Sequence, residues 1–269
     1  MTHLPKLVRT STLLEFKQQG KKFSCLTSYD HLTAGIFDEA GIDVLLVGDS
    51  AADNALGQRN TIPITVDEMI PFGRAVSSAA KRALVVIDMP FGSYEPGVDV
   101  ALLNGIRFMK ESGVSAVKLE GGVRSAPQIQ ALVEAGIPVM GHIGFTPQSV
   151  NVLGGFKIQG RGDAAEQLMQ DALAVEAAGA FAVVLELVPA AIASQVSKAL
   201  KIPTIGIGAG AGTDSQILVW TDFAGLSAHA PRKFVKQYAQ LRQILSTAAE
   251  QYKSDVEAGA FPTKDNEFD

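Results

Sequence analysis

Residues 84–90 read LVVIDMP, an apolar run that ends in the carboxylate of Asp88. Three more runs also end in an acid: VLLVGDS at 44–50, AVKLEGG at 116–122 and AVVLELV at 182–188. Apolar runs of this length predict buried strands of a parallel sheet. Because an unpaired carboxylate is costly to bury, its repeated position at strand ends indicates a shared function. We expect the four acids to converge, as in a metal-dependent active site: Asp49, Asp88, Glu120 and Glu186.

Candidate strands alternate with helical patterns along the chain, which implies a parallel sheet. The predicted strands are 23–28, 44–48, 84–88, 116–120, 138–142, 182–187, 203–208 and 217–220. The helical segments between them include 98–112, 126–135, 163–178 and 190–200, and Thr65 and Glu68 have capping-box spacing before another.

About eight such units favour an α/β fold of the closed (β/α)8 TIM barrel type over an open doubly wound sheet. The first strand also lacks the GxGxxG turn of a dinucleotide-binding fold. We predict one domain over residues 1–269, with an extra C-terminal amphipathic helix over 231–257.

Composition excludes several classes of protein. The 269 residues carry a net charge of −5 without a Lys/Arg-rich patch, which argues against a nucleic-acid partner. No stretch approaches the roughly 20 apolar residues that span a membrane, and the N-terminus lacks a secretory signal pattern. We therefore expect a cytoplasmic protein with no membrane partner.

The chain has one cysteine, Cys25, which excludes an intrachain disulfide and a multi-cysteine zinc site. Its neighbours, FSCLTSYD, predict a strand, so we interpret Cys25 as a small buried hydrophobe. The glycine-rich stretch GIGAGAG at 206–212 lacks the Lys-Ser/Thr of a phosphate-binding loop, so we predict a tight strand-to-helix turn there rather than an anion cradle.

Strand alternation places Lys118 and Glu120 on one face of their strand, either in the barrel mouth or outward against a helix. Asp49 and Asp88 suit Mg²⁺, which prefers carboxylate oxygens. Each has an alternative: Asp49 as a turn or N-cap residue, and Asp88 in an Asp-x-Pro turn.

Glu186 lies between aliphatic residues, which makes it a candidate general base or acid. Its alternative is a strand-end glutamate bonded to a backbone amide or an arginine. His142 ends the fifth run and either orients a substrate, shuttles a proton or is a satisfied core histidine.

Several longer motifs resemble those of the ketopantoate hydroxymethyltransferase family. The most specific is GHIGFTPQSVNVLGGFKIQGR at 141–161, and others are TIPITVDEM at 61–69, IDMPFGSY at 87–94 and IPTIGIGAG at 202–210. The resemblance covers nearly the whole chain. It implies a barrel of the phosphoenolpyruvate-mutase/isocitrate-lyase type.

The resemblance also implies a reaction with small-molecule substrates. A hydroxymethyl group passes from 5,10-methylenetetrahydrofolate to 3-methyl-2-oxobutanoate and gives 2-dehydropantoate in pantothenate biosynthesis. Family members form homo-oligomers, often decamers. Lys157 and Arg161 either meet the glutamate tail of the folate or hold a loop or interface.

Carried over residue by residue, the resemblance assigns roles to the site. It implies Asp49 and Asp88 as Mg²⁺ ligands, Glu120 as a third metal acid acting through water, and Glu186 as the proton acceptor. The 2-oxo acid would contact four residues: Asp49, Ser50, Asp88 and Lys118.

One segment departs from the family pattern, which reads Leu-Gly-Met after VGDS. This chain has Ala51-Ala52-Asp53 there, so we expect altered loop packing, with Asp53 either near the metal or facing solvent. Two other functions remain open: a C–C lyase of the same barrel type and a catalytically silent binder. Such lyases use a loop cysteine, whereas Cys25 lies in the first predicted strand.

Overall fold

Within residues 6–268, which the computed structural model describes, eight parallel strands close into a barrel in chain order. The strands are β1 (Phe23–Thr27), β2 (Val44–Val47), β3 (Leu84–Asp88), β4 (Ala116–Glu120), β5 (Val139–Gly144), β6 (Ala182–Glu186), β7 (Thr204–Ile207) and β8 (Ser215–Leu218). Strand β8 pairs with β1 and closes the barrel. The predicted (β/α)8 fold is confirmed.

Helices also form along residues 6–268. They are α1 (Thr10–Gln18), α2 (His31–Glu39), α3 (Ala51–Asn54), α4 (Val66–Ala79), α5 (Val98–Arg107), α6 (Ala126–Glu134), α7 (Val150–Leu153), α8 (Ala164–Ala177), α9 (Ala190–Ala199), α10 (Trp220–Phe223) and α11 (Leu241–Glu257). The predicted capping box starts α4: the Glu68 amide donates to Thr65 Oγ1 at 3.2 Å, and the Thr65 amide donates to Glu68 Oε2 at 2.8 Å.

The predicted C-terminal helix is wrong in its start. It begins at Leu241 rather than at 231. The Tyr238 amide donates to the Phe223 carbonyl and the Leu241 amide to the Ala224 carbonyl, so these amides bond to the turn after α10. These two amides therefore do not make helical hydrogen bonds, whereas the end of the helix at Glu257 agrees with the prediction.

Other boundaries also differ from the predictions. The 206–212 turn leads from β7 directly into β8 without a helix, and β8 begins at Ser215 because this residue pairs with Phe23. The predicted helix over 98–112 changes after Arg107 into a π-helical turn, Phe108–Ser112.

The chain divides into two compact units. One ends at Val219 and contains the barrel, and the other begins at Trp220 and contains α10 and α11. The single domain over 1–269 stays a prediction. No helix among residues 6–268 combines the length and apolar character needed to cross a bilayer.

Apolar side chains from all eight strands fill the amino-terminal part of the barrel interior: Phe23, Cys25, Val44, Leu46, Leu84, Val86, Ala116, Met140, Ala182, Val184, Ile205 and Ile217. Cys25 is buried there as predicted, with its Sγ 3.3 Å from Ser215 Oγ, and burial raises the pKa of its thiol to about 12. Since strand side chains alternate, residues two places beyond this layer also face inward.

Candidate active site

The strand register brings acidic and basic side chains together at the carboxyl end of the barrel. Asp88 is paired with Lys118 across β3 and β4, and Glu120 with His142 across β4 and β5. Lys118 Nζ lies 2.8 Å from Asp88 Oδ1, and both side chains are buried. The pair therefore faces the barrel interior, which excludes the alternative in which Lys118 points outward against a helix.

Lys118 carries a positive charge in this buried setting. Burial alone lowers its pKa, but the negative charges of Asp88, Glu120 and Asp49 outweigh it and raise the pKa above its usual value. The ammonium group is thus held in place and charged by the carboxylates that surround it.

His142 lies between two of the predicted acids. Its Nδ1 is 3.3 Å from Glu120 Oε1, and its Nε2 is 3.2 Å from Glu186 Oε2. Burial and the nearby Lys118 lower the pKa of the imidazole, but the contacts with Glu120 and Glu186 prevail and raise it to about 9. The ring thus connects the two carboxylates, and Lys118 Nζ lies 3.3 Å from the same Nδ1.

Asp49 lies outside the sheet, since β2 ends at Val47. Its amide donates to Asp88 Oδ2 at 2.9 Å, and its own Oδ2 accepts from Gln148 Nε2 at 2.9 Å. Burial and the charges of Asp88 and Glu120 raise the pKa of the Asp49 carboxyl well above its usual range. Asp49 is thus held by side chains of two other strand-end segments and does not cap a helix.

Ser50 follows Asp49 at the edge of the site, and its Oγ lies 2.7 Å from the hydroxyl of buried Tyr29. Gly48 provides the room for this arrangement, because a Cβ at that position would lie 2.8 Å from Ser50 Oγ and 3.5 Å from Asp88 Oδ2. The serine hydroxyl and the Asp88 carboxylate therefore border the same small space.

Glu186 is the most accessible of the acids, with 14% of its side chain exposed. It contacts His142 rather than an arginine. The next residue, Leu187, has a φ of 48°, in the left-handed region that costs a non-glycine residue roughly 1 kcal/mol. The strained backbone thus lies directly beside the candidate base. The accessible part of the Glu186 carboxylate can contact a molecule that enters the barrel mouth.

Two residues that the sequence analysis did not single out complete the site. Gln148 donates to Asp49, and the Tyr94 hydroxyl donates to Gln148 Oε1 at 2.6 Å. Both lie within the family motifs at 87–94 and 141–161, but as neutral side chains outside strands they carried no separate signal.

The divergent loop forms the short helix α3. Ala51 and Ala52 are fully buried, so the small side chains pack closely under the loop. Asp53 is exposed and accepts from Asn54 Nδ2 at 2.9 Å, which favours the solvent-facing alternative. Lys157 and Arg161 are also exposed.

The carboxylates at the barrel mouth fit an open magnesium site, in which the protein fills only part of the coordination shell. Across residues 6–268, no three His, Cys, Asp or Glu side chains meet closely enough to hold an ion by themselves. Mg²⁺ commonly uses only one or two protein carboxylates and completes its shell with water and substrate oxygens. Asp49 and Asp88 provide such a pair, and the neighbouring acids Glu120 and Glu186 add negative charge that a cation would offset.

Comparison with known proteins identifies the family. Residues 7–264 match the family model of ketopantoate hydroxymethyltransferase. A 3-methyl-2-oxobutanoate hydroxymethyltransferase from Leifsonia xyli subsp. xyli is 60% identical over 264 residues, which cover 98% of this chain and 95% of that protein.

Two solved structures share the fold at low sequence identity. A phosphonopyruvate hydrolase in complex with oxalate and Mg²⁺ has a TM-score of 0.61 and 12% identity, over 95% of this chain and 92% of its own. A 2,3-dimethylmalate lyase of the PEP mutase/isocitrate lyase superfamily has a TM-score of 0.60 and 18% identity, over 97% and 91%. The resemblance predicted from the sequence is confirmed, and the chain belongs to the ketopantoate hydroxymethyltransferase family.

Proposed function

We propose that this protein transfers a hydroxymethyl group from 5,10-methylenetetrahydrofolate to 3-methyl-2-oxobutanoate and so forms 2-dehydropantoate for pantothenate biosynthesis. The observation that carries the proposal is the cluster of charged side chains at the barrel mouth. There the buried Asp88–Lys118 pair lies on one side and the accessible Glu186 on the other, with His142 between them. This arrangement suits removal of a proton next to a carbonyl group.

We propose Mg²⁺ as the cofactor, with Asp49 and Asp88 as its direct ligands and Glu120 as a more distant acid that acts through water. When bound, Mg²⁺ would supply Lewis-acid polarisation of the 2-oxo acid carbonyl. The 2-oxo acid would then lie against Asp49, Ser50, Asp88 and Lys118, where the Ser50 hydroxyl can donate to one of its oxygens.

Lys118 has the electrostatic role in this proposal. Loss of the C3 proton moves negative charge onto the keto oxygen of the substrate. A fixed ammonium group aimed at that oxygen stabilises the charge as it develops, and it does so more strongly in a buried site than in water. Because Lys118 is already held by Asp88 at 2.8 Å, little reorganisation is needed.

Glu186 is the proposed base. Its Oε2 lies 3.2 Å from His142 Nε2, so the imidazole ring orients the carboxylate, which is 14% exposed. Glu186 takes the proton from C3, and the carbanion forms the new C–C bond with the one-carbon unit of the folate. The two bonds from that carbon to folate nitrogens break, one water molecule supplies the hydroxyl group, and tetrahydrofolate leaves with the C3 proton and the remaining proton of that water on its nitrogens.

Product analysis tests the proposal. Purified protein with Mg²⁺ and both substrates should form 2-dehydropantoate, detected by mass spectrometry, and EDTA should stop its formation. A lyase would instead cleave a C–C bond of an added branched 2-hydroxy acid, and a silent binder would form no product. Absence of 2-dehydropantoate beside an active family member under the same conditions would contradict the proposal.

The remaining expectations belong to the same proposal. We propose a homo-oligomer, of decameric size by family resemblance, in the cytoplasm. Light scattering coupled to size-exclusion chromatography measures the assembly, and a monomer at working concentration would contradict it.

A further inference from the structure

The side chain of Gln148 makes three hydrogen bonds in a buried position. Its Nε2 donates to Asp49 Oδ2 at 2.9 Å and to the Met89 carbonyl at 3.0 Å, and its Oε1 accepts from the Tyr94 hydroxyl at 2.6 Å. The side chain is only 5% exposed. Every polar atom of the amide is therefore engaged, and both of its N–H groups are committed.

These contacts determine which way the amide points. If the amide were turned over, its oxygen would face the Met89 carbonyl, which is an acceptor only. Its nitrogen would then face the Tyr94 hydroxyl. That hydroxyl also accepts from the Glu120 amide at 3.2 Å, which keeps its proton directed towards Gln148. Tyr94 thus sets the orientation in which Gln148 donates to Asp49.

Asp49 differs from Asp88 and Glu120 in where its backbone lies. Asp88 and Glu120 are the last residues of β3 and β4, so the barrel holds their backbones. Asp49 lies beyond the end of β2, in the turn before α3. Its carboxylate is oriented by a residue from the loop after β5, and that loop reaches Glu120 as well, since the Gln148 amide donates to Glu120 Oε2 at 3.1 Å.

We propose that Gln148 is a positioning residue for the metal site: its side-chain amide holds the Asp49 carboxylate by Oδ2, in the orientation in which Asp49 would serve as a metal ligand. The inference rests on the proposed function, since it concerns the same carboxylate. Partners of this kind, which hold a metal ligand without touching the metal, typically change metal affinity 10- to 100-fold when they are removed.

Gln148→Met tests the inference, because it keeps the length of the side chain and removes the donor to Asp49. The backbone contact from residue 148 to Glu120 is retained. We expect the dissociation constant for Mn²⁺, measured by electron paramagnetic resonance without either substrate, to rise about 10- to 100-fold. This binding assay is independent of product formation, so its failure is distinguishable from failure of the proposed function.

Gln128→Met is the matched control. Gln128 Nε2 donates to the Tyr94 carbonyl at 3.4 Å, and none of its hydrogen bonds reaches a site carboxylate. This variant should bind Mn²⁺ like the wild type, which separates positioning from a general loss of packing around Tyr94. Equal Mn²⁺ binding by wild type and Gln148→Met, including no measurable binding by either, would overturn the inference.

Tyr94→Phe provides a second test if Gln148→Met does not fold. It removes the hydroxyl that orients the amide but leaves Gln148 in place. We expect a smaller rise in the Mn²⁺ dissociation constant, about threefold to tenfold, within the lower part of the range for such partners. An unchanged dissociation constant in this variant would also contradict the inference.

Discussion

The two ends of the barrel interior are built by the same strands but have opposite chemistry. On β3, Val86 is fully buried among apolar side chains, and Asp88, two residues later, is paired with Lys118. The apolar end stabilises the fold by about 0.8 kcal/mol for each buried CH₂ group. The charged end is costly, because buried ion pairs repay their desolvation only with very good geometry. We infer that burial in the amino-terminal layer offsets the cost of the charged cluster, and that the cluster serves catalysis rather than stability.

Glu186→Gln should have the largest effect on chemistry at the charged end. The amide keeps an acceptor for His142 Nε2 but cannot take a proton, so the rate of C3 proton exchange should fall about 10²- to 10⁴-fold. Binding of Mn²⁺ and of the oxo acid should be retained. NMR of 3-methyl-2-oxobutanoate in D₂O measures the exchange, and an unchanged rate would remove Glu186 as the base.

Asp88→Ala should damage both the site and the fold. The change leaves the buried Lys118 ammonium without its nearest partner at 2.8 Å, and removal of one partner of a buried pair typically costs about 3–5 kcal/mol. We expect that loss in the free energy of unfolding, measured with urea, together with loss of metal-dependent oxo-acid binding in calorimetry. Retained affinity would count against Asp88 as a ligand.

Val86→Ala is the matched control from the other end of the same strand. It removes two buried carbon atoms and should cost about 2 kcal/mol of stability. The exchange rate per folded molecule should stay within about twofold of wild type, since Val86 faces the apolar layer. A large loss of exchange in this variant would contradict the assignment of stability to the apolar end and of catalysis to the charged end.

The pH dependence of stability tests the charge of His142. Burial and Lys118 lower its pKa, but Glu120 and Glu186 raise it from 6.5 to about 9, so the folded protein binds this proton more tightly than the unfolded chain does. Its contribution, about 3 kcal/mol, is fully present below pH 6.5 and is lost as the pH rises through about 9.

The measurement compares wild type with His142→Gln in EDTA, by urea unfolding at acidic and alkaline pH. The stability advantage of the wild type should shrink at the alkaline end, because only the wild type carries the titrating imidazole. An advantage that is independent of pH would show that His142 is neutral in the folded protein.

Cys25→Ala should have the smallest effect. Cys25 lies in the apolar layer, and burial raises the pKa of its thiol to about 12, so a thiolate is scarce at neutral pH. We expect full exchange activity and a stability change of about 1 kcal/mol or less, from the loss of one small buried group. Loss of exchange activity would contradict the assignment of Cys25 to packing alone.

The sequence predicts the arrangement of those site residues that lie on strands. Asp88, Lys118 and Glu120 lie within or at the end of apolar runs, so the parallel register and side-chain alternation bring them together. Gln148 and Tyr94 were missed for a physical reason. They are neutral, they lie in loops after β5 and β3, and their contacts depend on how those loops fold over the barrel mouth. The late start of α11 was missed because tertiary backbone hydrogen bonds replace local ones before Leu241.

Deuterium exchange at C3 of 3-methyl-2-oxobutanoate by the wild-type protein tests the central claim most directly. The measurement needs no folate, and it reports the base, the metal and the substrate class together. We predict exchange in the presence of Mg²⁺ that EDTA abolishes and that Glu186→Gln lacks. Absence of exchange with Mg²⁺ present would contradict the account of the charged end as a site for proton removal.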